Sequence, residues 1–127
     1  LHTDVVAFIE KNSAHCAIAT GNLSCWVAKL VERLGCEVYC SEGQIENNQV
    51  VKLTDILKKE SVVEKYRAEG HRVVFIGDGN NDVEAMRAAD VAIASGLTHA
   101  PTASVISVAD YLVLNEVALC RQLNQLL

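Results

Sequence analysis

The chain has 127 residues, half of them hydrophobic, and a formal net charge of −5 with a sequence pI near 5.3. That length and apolar share fit one domain with a core of ordinary size. The eleven basic residues are scattered rather than striped, which argues against a nucleic-acid or acidic-membrane surface; no apolar run approaches the ~20 residues of a membrane span, and the first residues lack a signal-peptide pattern, so the expected location is the cytoplasm.

Residues 3–11 read as a helix behind Thr3, and "HCAIAT" (15–20) as a short buried strand. Leu23, Trp26, Val27, Leu30, Val31 and Leu34 recur at three- and four-residue steps, which predicts a helix over 23–34 closed by Gly35. "EVYCSE" (37–42) follows as a strand. In "GQIENNQVVKL" two alternating runs flank Asn47 and Asn48, residues that tolerate the positive φ of a tight turn, so a small β-hairpin is expected near 43–53. Residues 58–69 form a charged amphipathic helix with Val62, Val63 and Tyr66 on its apolar side, stopped by Gly70.

"RVVFI" (72–76) is apolar from Val73 to Ile76, as in a parallel strand covered on both faces. A helix over 81–88, the strand "VAIAS" (91–95), a short helix after Pro101, the strand "YLVL" (111–114) and a last helix from Glu116 with Asn115 as N-cap complete the chain. Strands alternating with helices predict an α/β, Rossmann-like three-layer sandwich with a mainly parallel sheet, formed by residues 1–127 as a single domain. Ligands of such sheets bind beyond the carboxyl ends of the strands. That rule selects two loops, "ATGN" (19–22) and "IGDGNND" (76–82).

In the first loop, Thr20 is the first polar residue after a buried strand and Gly21 permits close backbone approach. With Asn22 and the amides of a following helix they either cradle a phosphate or simply cap that helix. In the second, Asp78 leaves the strand end and Asp82 lies four residues on, with Gly77 and Gly79 allowing a tight fold between them. Two carboxylates at one mouth repel each other, and a hard dication such as Mg2+, which takes oxygen ligands and keeps several waters, is the ordinary remedy. Lys58 and Lys59 stand at the start of a helix, where cations oppose the macrodipole. They are either a solvated pair or a phosphate contact near the metal. Five cysteines, an odd number without a CxxC pair, read as reduced thiols, and Cys36 and Cys40 as buried cysteine rather than zinc ligands.

Taken together, "IATGN", a lysine ahead of a helix, and "VVFIGDGNNDVEAM" followed by "AADVAIAS" resemble motifs II, III and IV of the haloacid dehalogenase (HAD) superfamily over about residues 15–95. The resemblance implies that Thr20 binds the transferring phosphoryl group and that Lys59, preferred to Lys58 by its position, neutralises it. It implies that Asp78 and Asp82 hold Mg2+ and that Asn81 adds a phosphate or outer contact. "GDGNNDVEAM" looks most like the soluble phosphatases of the phosphoserine phosphatase type; P-type ATPases share "GDG" and "ND" but usually continue with Ala-Pro, where this chain has Val83 and Glu84. The implied activity is hydrolysis of a small phosphorylated metabolite through an aspartyl-phosphate.

Family members carry their nucleophile in a DxD motif at the end of the first strand. This chain has six aspartates, no two of them two apart, so motif I is absent, as is the cap that usually follows it. In the family that strand lies between those bearing "ATGN" and "GDGNND", and its loss exposes two strand edges that invite pairing with another chain. The expectation is that an N-terminal segment of the same protein, or a second chain, supplies the central strand, and that this chain alone is inactive. The alternative is a non-catalytic HAD-like module that binds Mg2+ and phosphate, or a partner protein.

Overall fold

A computed structural model describes residues 3–23, 35–46, 49–55, 58–97 and 99–126. The chain divides into two compact units, one made of residues up to 5 together with 59 onward, the other of residues 6–58. Helix α1 (Thr3–Lys11) gives its first residues to the former and the rest to the latter.

The unit of residues 6–58 contains a 3-10 turn at Ser13–His15 and strands β1 (Ala17–Leu23), β2 (Glu37–Glu46) and β3 (Gln49–Asp55), in the order β1-β2-β3. β1 runs parallel to β2, and β2 antiparallel to β3 across positions 47 and 48. β1 continues past the expected end at Thr20 through Gly21 and Asn22 to Leu23. The cause is a bulge: the register passes from Ala19 opposite Tyr39 to Leu23 opposite Ser41, so two extra β1 residues are accommodated where Gly21 lies. Of the helix expected over 23–34, Leu23 instead ends β1, and the rest lies outside the described residues. Gly35, which follows it, has φ +67°, a conformation that costs glycine nothing. Among the described residues, Val6 and Cys36 are buried in this unit, packed with Ile9, Cys16 and Ile18.

The other unit repeats strand and helix: α2 (Lys59–Ala68), β4 (Val74–Gly77), a 3-10 turn at Asn80–Asp82 running into α3 (Val83–Ala88), β5 (Val91–Ser95), α4 (Ala103–Val108), β6 (Tyr111–Val113) and α5 (Glu116–Leu126). Its sheet is wholly parallel, in the order β4-β5-β6. β5 is central, and its alternating side chains feed two cores. Ala92 and Ala94 join Met86 and Val105 of α3 and α4, while Val91 and Ile93 join Val113 and Leu119, with Val5 of α1 and Leu123 of α5 against them. Two helical layers around a parallel sheet result, the three-layer arrangement the alternation predicts.

Termination and register rest on a few polar devices. Asp90 and Asp110 each precede a strand and each accept a backbone N–H from beside them, Asp90 that of Val73 just ahead of β4 and Asp110 that of Ala92 in β5, both at 2.8 Å. The N–H of Asp90 in turn donates to the Val73 carbonyl, and that of Asp110 to the Ala92 carbonyl. Gly70 ends α2 with φ +90°. Asn115 Oδ1 accepts from the Ala118 amide at 2.8 Å, the N-cap expected of α5. Glu116 caps α1 from a distance by accepting from the amides of Asp4 and Val5. β1 and β4 each stand at an end of their sheet. Among the described residues no helix is long and apolar enough to cross a membrane.

Candidate functional site

The carboxyl end of β4 opens into the loop that carries both aspartates. Gly77, the last strand residue, is buried, and a Cβ built there would lie 2.6 Å from Cβ and 2.8 Å from Cγ of Asp82. Its φ is not in the left-handed region, so glycine is needed here for space rather than for conformation. Gly79 is extended as well, with φ −121° and ψ 166°. The fold between the two aspartates therefore comes from the side chain of Asp82, which reaches back under the strand end.

Asp82 is 4% exposed, the one buried charged residue among those described. Its Oδ2 accepts from the amides of Asp78 at 3.1 Å and Gly79 at 3.2 Å, and its Oδ1 accepts from Lys59 Nζ at 2.7 Å. Both oxygens are thus engaged by charge-assisted or backbone hydrogen bonds, which is what a buried carboxylate requires. The Asp82 amide closes the turn on the Gly79 carbonyl at 2.9 Å. Lys59 reaches this point from the first turn of α2 with its side chain 15% exposed, whereas Lys58 is exposed. The cation that the macrodipole disfavours at a helix start is compensated by the Asp82 carboxylate.

Asp78 is different in kind. Its side chain is one-third exposed and meets the imidazole of His99, Nδ1 to Oδ2 at 3.1 Å. Its carbonyl accepts from the Thr102 amide at 3.1 Å, and Ser104 Oγ donates to Asn80 Oδ1. The β5–α4 loop, through His99 and Thr102, and the first turn of α4, through Ser104, therefore meet the aspartate loop. Asn81 is exposed. Thr20, Gly21 and Asn22 are in β1, and their side chains lie outside the described part of the structure. Sequence reasoning missed His99, which has no fixed spacing to Asp78, and it missed the saturation of Asp82, which depends on a contact 23 residues away.

Among the described residues no cluster of three or more His, Cys, Asp or Glu is arranged to hold a metal ion. An all-protein cage is not what Mg2+ asks for: one or two carboxylates, with waters and substrate phosphate, is its common environment. The partly exposed Asp78 carboxylate at a strand mouth fits that donor set.

The haloacid dehalogenase-like hydrolase family model matches residues 2–90. Among solved structures, a substrate-bound phosphoserine phosphatase is 20% identical with a TM-score of 0.76, over 92% of this chain and 61% of that one. The catalytic domain of the CPx-ATPase CopB-B is 27% identical with a TM-score of 0.66, over 95% of this chain and 43% of that one. A zinc-transporting PIB-type ATPase in its E2.Pi state is 25% identical with a TM-score of 0.67, over 97% of this chain and 19% of that one. The chain thus spans less than two thirds of the length of each. No curated protein matches it. The strand-end aspartate loop, the lysine that meets it, the parallel β/α unit and a family match over most of the sequence agree, and the chain belongs to the haloacid dehalogenase-like hydrolases.

Proposed function

We propose that these residues form the Mg2+-binding part of a phosphatase that hydrolyses a small phosphomonoester through an aspartyl-phosphate. The nucleophilic aspartate comes from a strand outside this sequence. The observation that carries the reading is the division of labour between the two aspartates: Asp82 is locked to Lys59 and two amides, while Asp78 keeps a carboxylate open to solvent at the strand mouth.

Asp78 would make the direct contact with Mg2+, and Asp82 would hold the loop that presents it. Bound there, Mg2+ would offset charge on the transferring phosphoryl group. Lys59 contributes fixed positive charge beside the same loop, Thr20 and the Gly21 and Asn22 amides would take the phosphoryl oxygens, and Asn81 would add an outer contact. Such a site works by preorganised charge, with little reorganisation required during the reaction. β1 and β4 each end their own sheet, which supports a further strand, from an N-terminal segment of the same protein or from a second chain, pairing at such an edge. The substrate is a small phosphorylated metabolite of the phosphoserine type, and the protein acts in the cytoplasm.

The likeness to the catalytic domain of a CPx-ATPase at 27% identity and to a zinc-transporting PIB-type ATPase at 25% favours a second reading, the catalytic domain of such an ATPase. Val83 and Glu84 in place of Ala-Pro count against it. Hydrolysis of p-nitrophenyl phosphate with Mg2+ tests the proposal, first on this chain and then on a form extended upstream by its coding sequence. The expected result is turnover in the extended form that is lost on Asp78→Asn. An extended form that binds Mg2+ without turnover would leave the non-catalytic module as the answer.

A further inference from the structure

Cys16 and Cys36 stand at matching places in the sheet of residues 6–58. Ala17 and Glu37 are register partners of the parallel β1–β2 pair, so the residues just ahead of them, Cys16 and Cys36, are neighbours across it. Side chains alternate along an extended chain, and exposure follows that alternation: Ala17 and Glu37 are exposed, whereas Cys36 is buried and Cys16 half-buried. Both cysteines turn to the side where Val6 and Ile9 of α1 pack. Neighbouring strands stand about 4.8 Å apart, inside the window of about 4.4–6.8 Å between Cα atoms that a disulfide spans. Burial pushes both thiols up, and the charge of Cys36 adds to the effect at Cys16. Neither thiol has a part in the proposed hydrolysis.

We propose that Cys16 and Cys36 are a dithiol that a small-molecule disulfide of the glutathione type converts, reversibly, to an intramolecular bond. The half-buried Cys16, which solvent reaches, attacks first: its thiolate displaces one thiol from the reagent and is left as a mixed disulfide. Cys36 beside it then attacks the Cys16 sulfur and expels the second thiol. Two S–H bonds of the chain and the reagent's S–S bond are lost, while one S–S bond in the chain and two S–H bonds on the reagent are formed. The chain is oxidised by two electrons and the reagent is reduced. Burial holds both thiols in their protonated form, so the exchange is slow, unlike that of exposed sensor cysteines. The product closes a loop over residues 16–36, which contains Thr20, Gly21 and Asn22, and ties β1 to β2 at their amino ends. Such a closure restricts the unfolded chain.

Mass spectrometry of the folded 127-residue chain after incubation with oxidised glutathione tests this. Cys25 and Cys40 share tryptic peptides with Cys16 and Cys36, so a Cys25→Ser/Cys40→Ser form is compared with the wild type. The expected result is loss of two hydrogens from both proteins, reversed by dithiothreitol, with peptide 12–29 linked to peptide 34–52 in the doubly substituted form. Fragmentation of the linked wild-type peptides locates the two sulfurs if the double substitution does not fold. Cys36→Ser should instead keep glutathione on Cys16, and Cys120→Ser should cross-link as the wild type does. Unreacted thiols, glutathione adducts without a cross-link, a link through Cys25, Cys40 or Cys120, or a Cys16–Cys36 bond that forms only in urea each overturn the inference, because the native strand pairing then does not bring these two sulfurs together.

Discussion

Gly77→Ala isolates the packing on which the aspartate loop depends. The added Cβ would sit 2.6, 2.8 and 2.9 Å from Cβ, Cγ and Oδ2 of Asp82, all closer than real contacts allow. Asp82 cannot swing away cheaply, since Lys59 holds one oxygen and two amides hold the other. Overpacking alone costs about 1–3 kcal/mol, and loss of one of the bonds to the carboxylate adds about 1.5–3 kcal/mol. A destabilisation of about 3 kcal/mol is therefore expected, read from urea unfolding followed by circular dichroism. Gly79→Ala is the control. Its Cβ meets only Asn81 Oδ1, at 3.0 Å, the end of an exposed side chain that can turn, and its extended backbone suits any residue, so the cost should be within about 1 kcal/mol. Gly77→Ala should also weaken Mg2+ binding, because the Asp78 amide is one of the two on Asp82. A Gly77→Ala protein as stable as Gly79→Ala would refute the claim that Asp82 is packed against the strand end.

Lys59→Met leaves the buried Asp82 carboxylate without its cation and should cost about 3 kcal/mol in chemical unfolding, while Lys58→Met, at an exposed residue, stays within about 0.5 kcal/mol. Asp110→Ala removes the acceptor for the amide of buried Ala92 and should cost about 2 kcal/mol, with faster hydrogen exchange at that amide as the local sign. Burial pushes the thiols of Cys16, Cys36 and Cys120 up, with the charge of Cys36 adding to the effect at Cys16, so iodoacetamide at mildly alkaline pH should label them more slowly in the folded chain than in urea. The folded state holds these protons more tightly than the unfolded one. Their contribution to stability is thus complete below the ordinary thiol range near 9 and is lost as pH rises through the folded values, which a pH series of urea midpoints would detect.

The parallel β/α unit was legible because its signals are local. The apolar run before Gly77 gives β4, and Asn115 three residues ahead of the Ala118 amide gives the cap of α5. Pro101 announces α4, which Thr102 Oγ1 caps by accepting from Val105. What could not be read depends on strand order. The Asp90 and Asp110 contacts join residues 17 and 18 apart, and His99 meets Asp78 only because β5 lies beside β4. Likewise the run of β1 beyond Thr20 follows from its pairing with β2, which no property of "ATGN" encodes.

The two aspartates show how such a contact changes a chemical argument. From sequence, Asp78 and Asp82 are two like charges at one mouth, and their repulsion is itself a reason for a dication. In the structure Lys59 already offsets the charge of Asp82 at 2.7 Å, and two amides take its second oxygen. Repulsion therefore no longer requires a metal. The case for Mg2+ passes to Asp78 alone, whose partly exposed carboxylate lies 3.1 Å from the His99 imidazole. Lys59, which the resemblance assigns to a phosphoryl group, meets the Asp82 carboxylate in this structure. Removal of Lys59 should consequently disturb Mg2+ affinity as well as stability, because the loop that presents Asp78 is held by the residue Lys59 neutralises. A Lys59→Met protein with wild-type Mg2+ affinity would separate the two carboxylates and leave Asp78 to act without the support of Asp82.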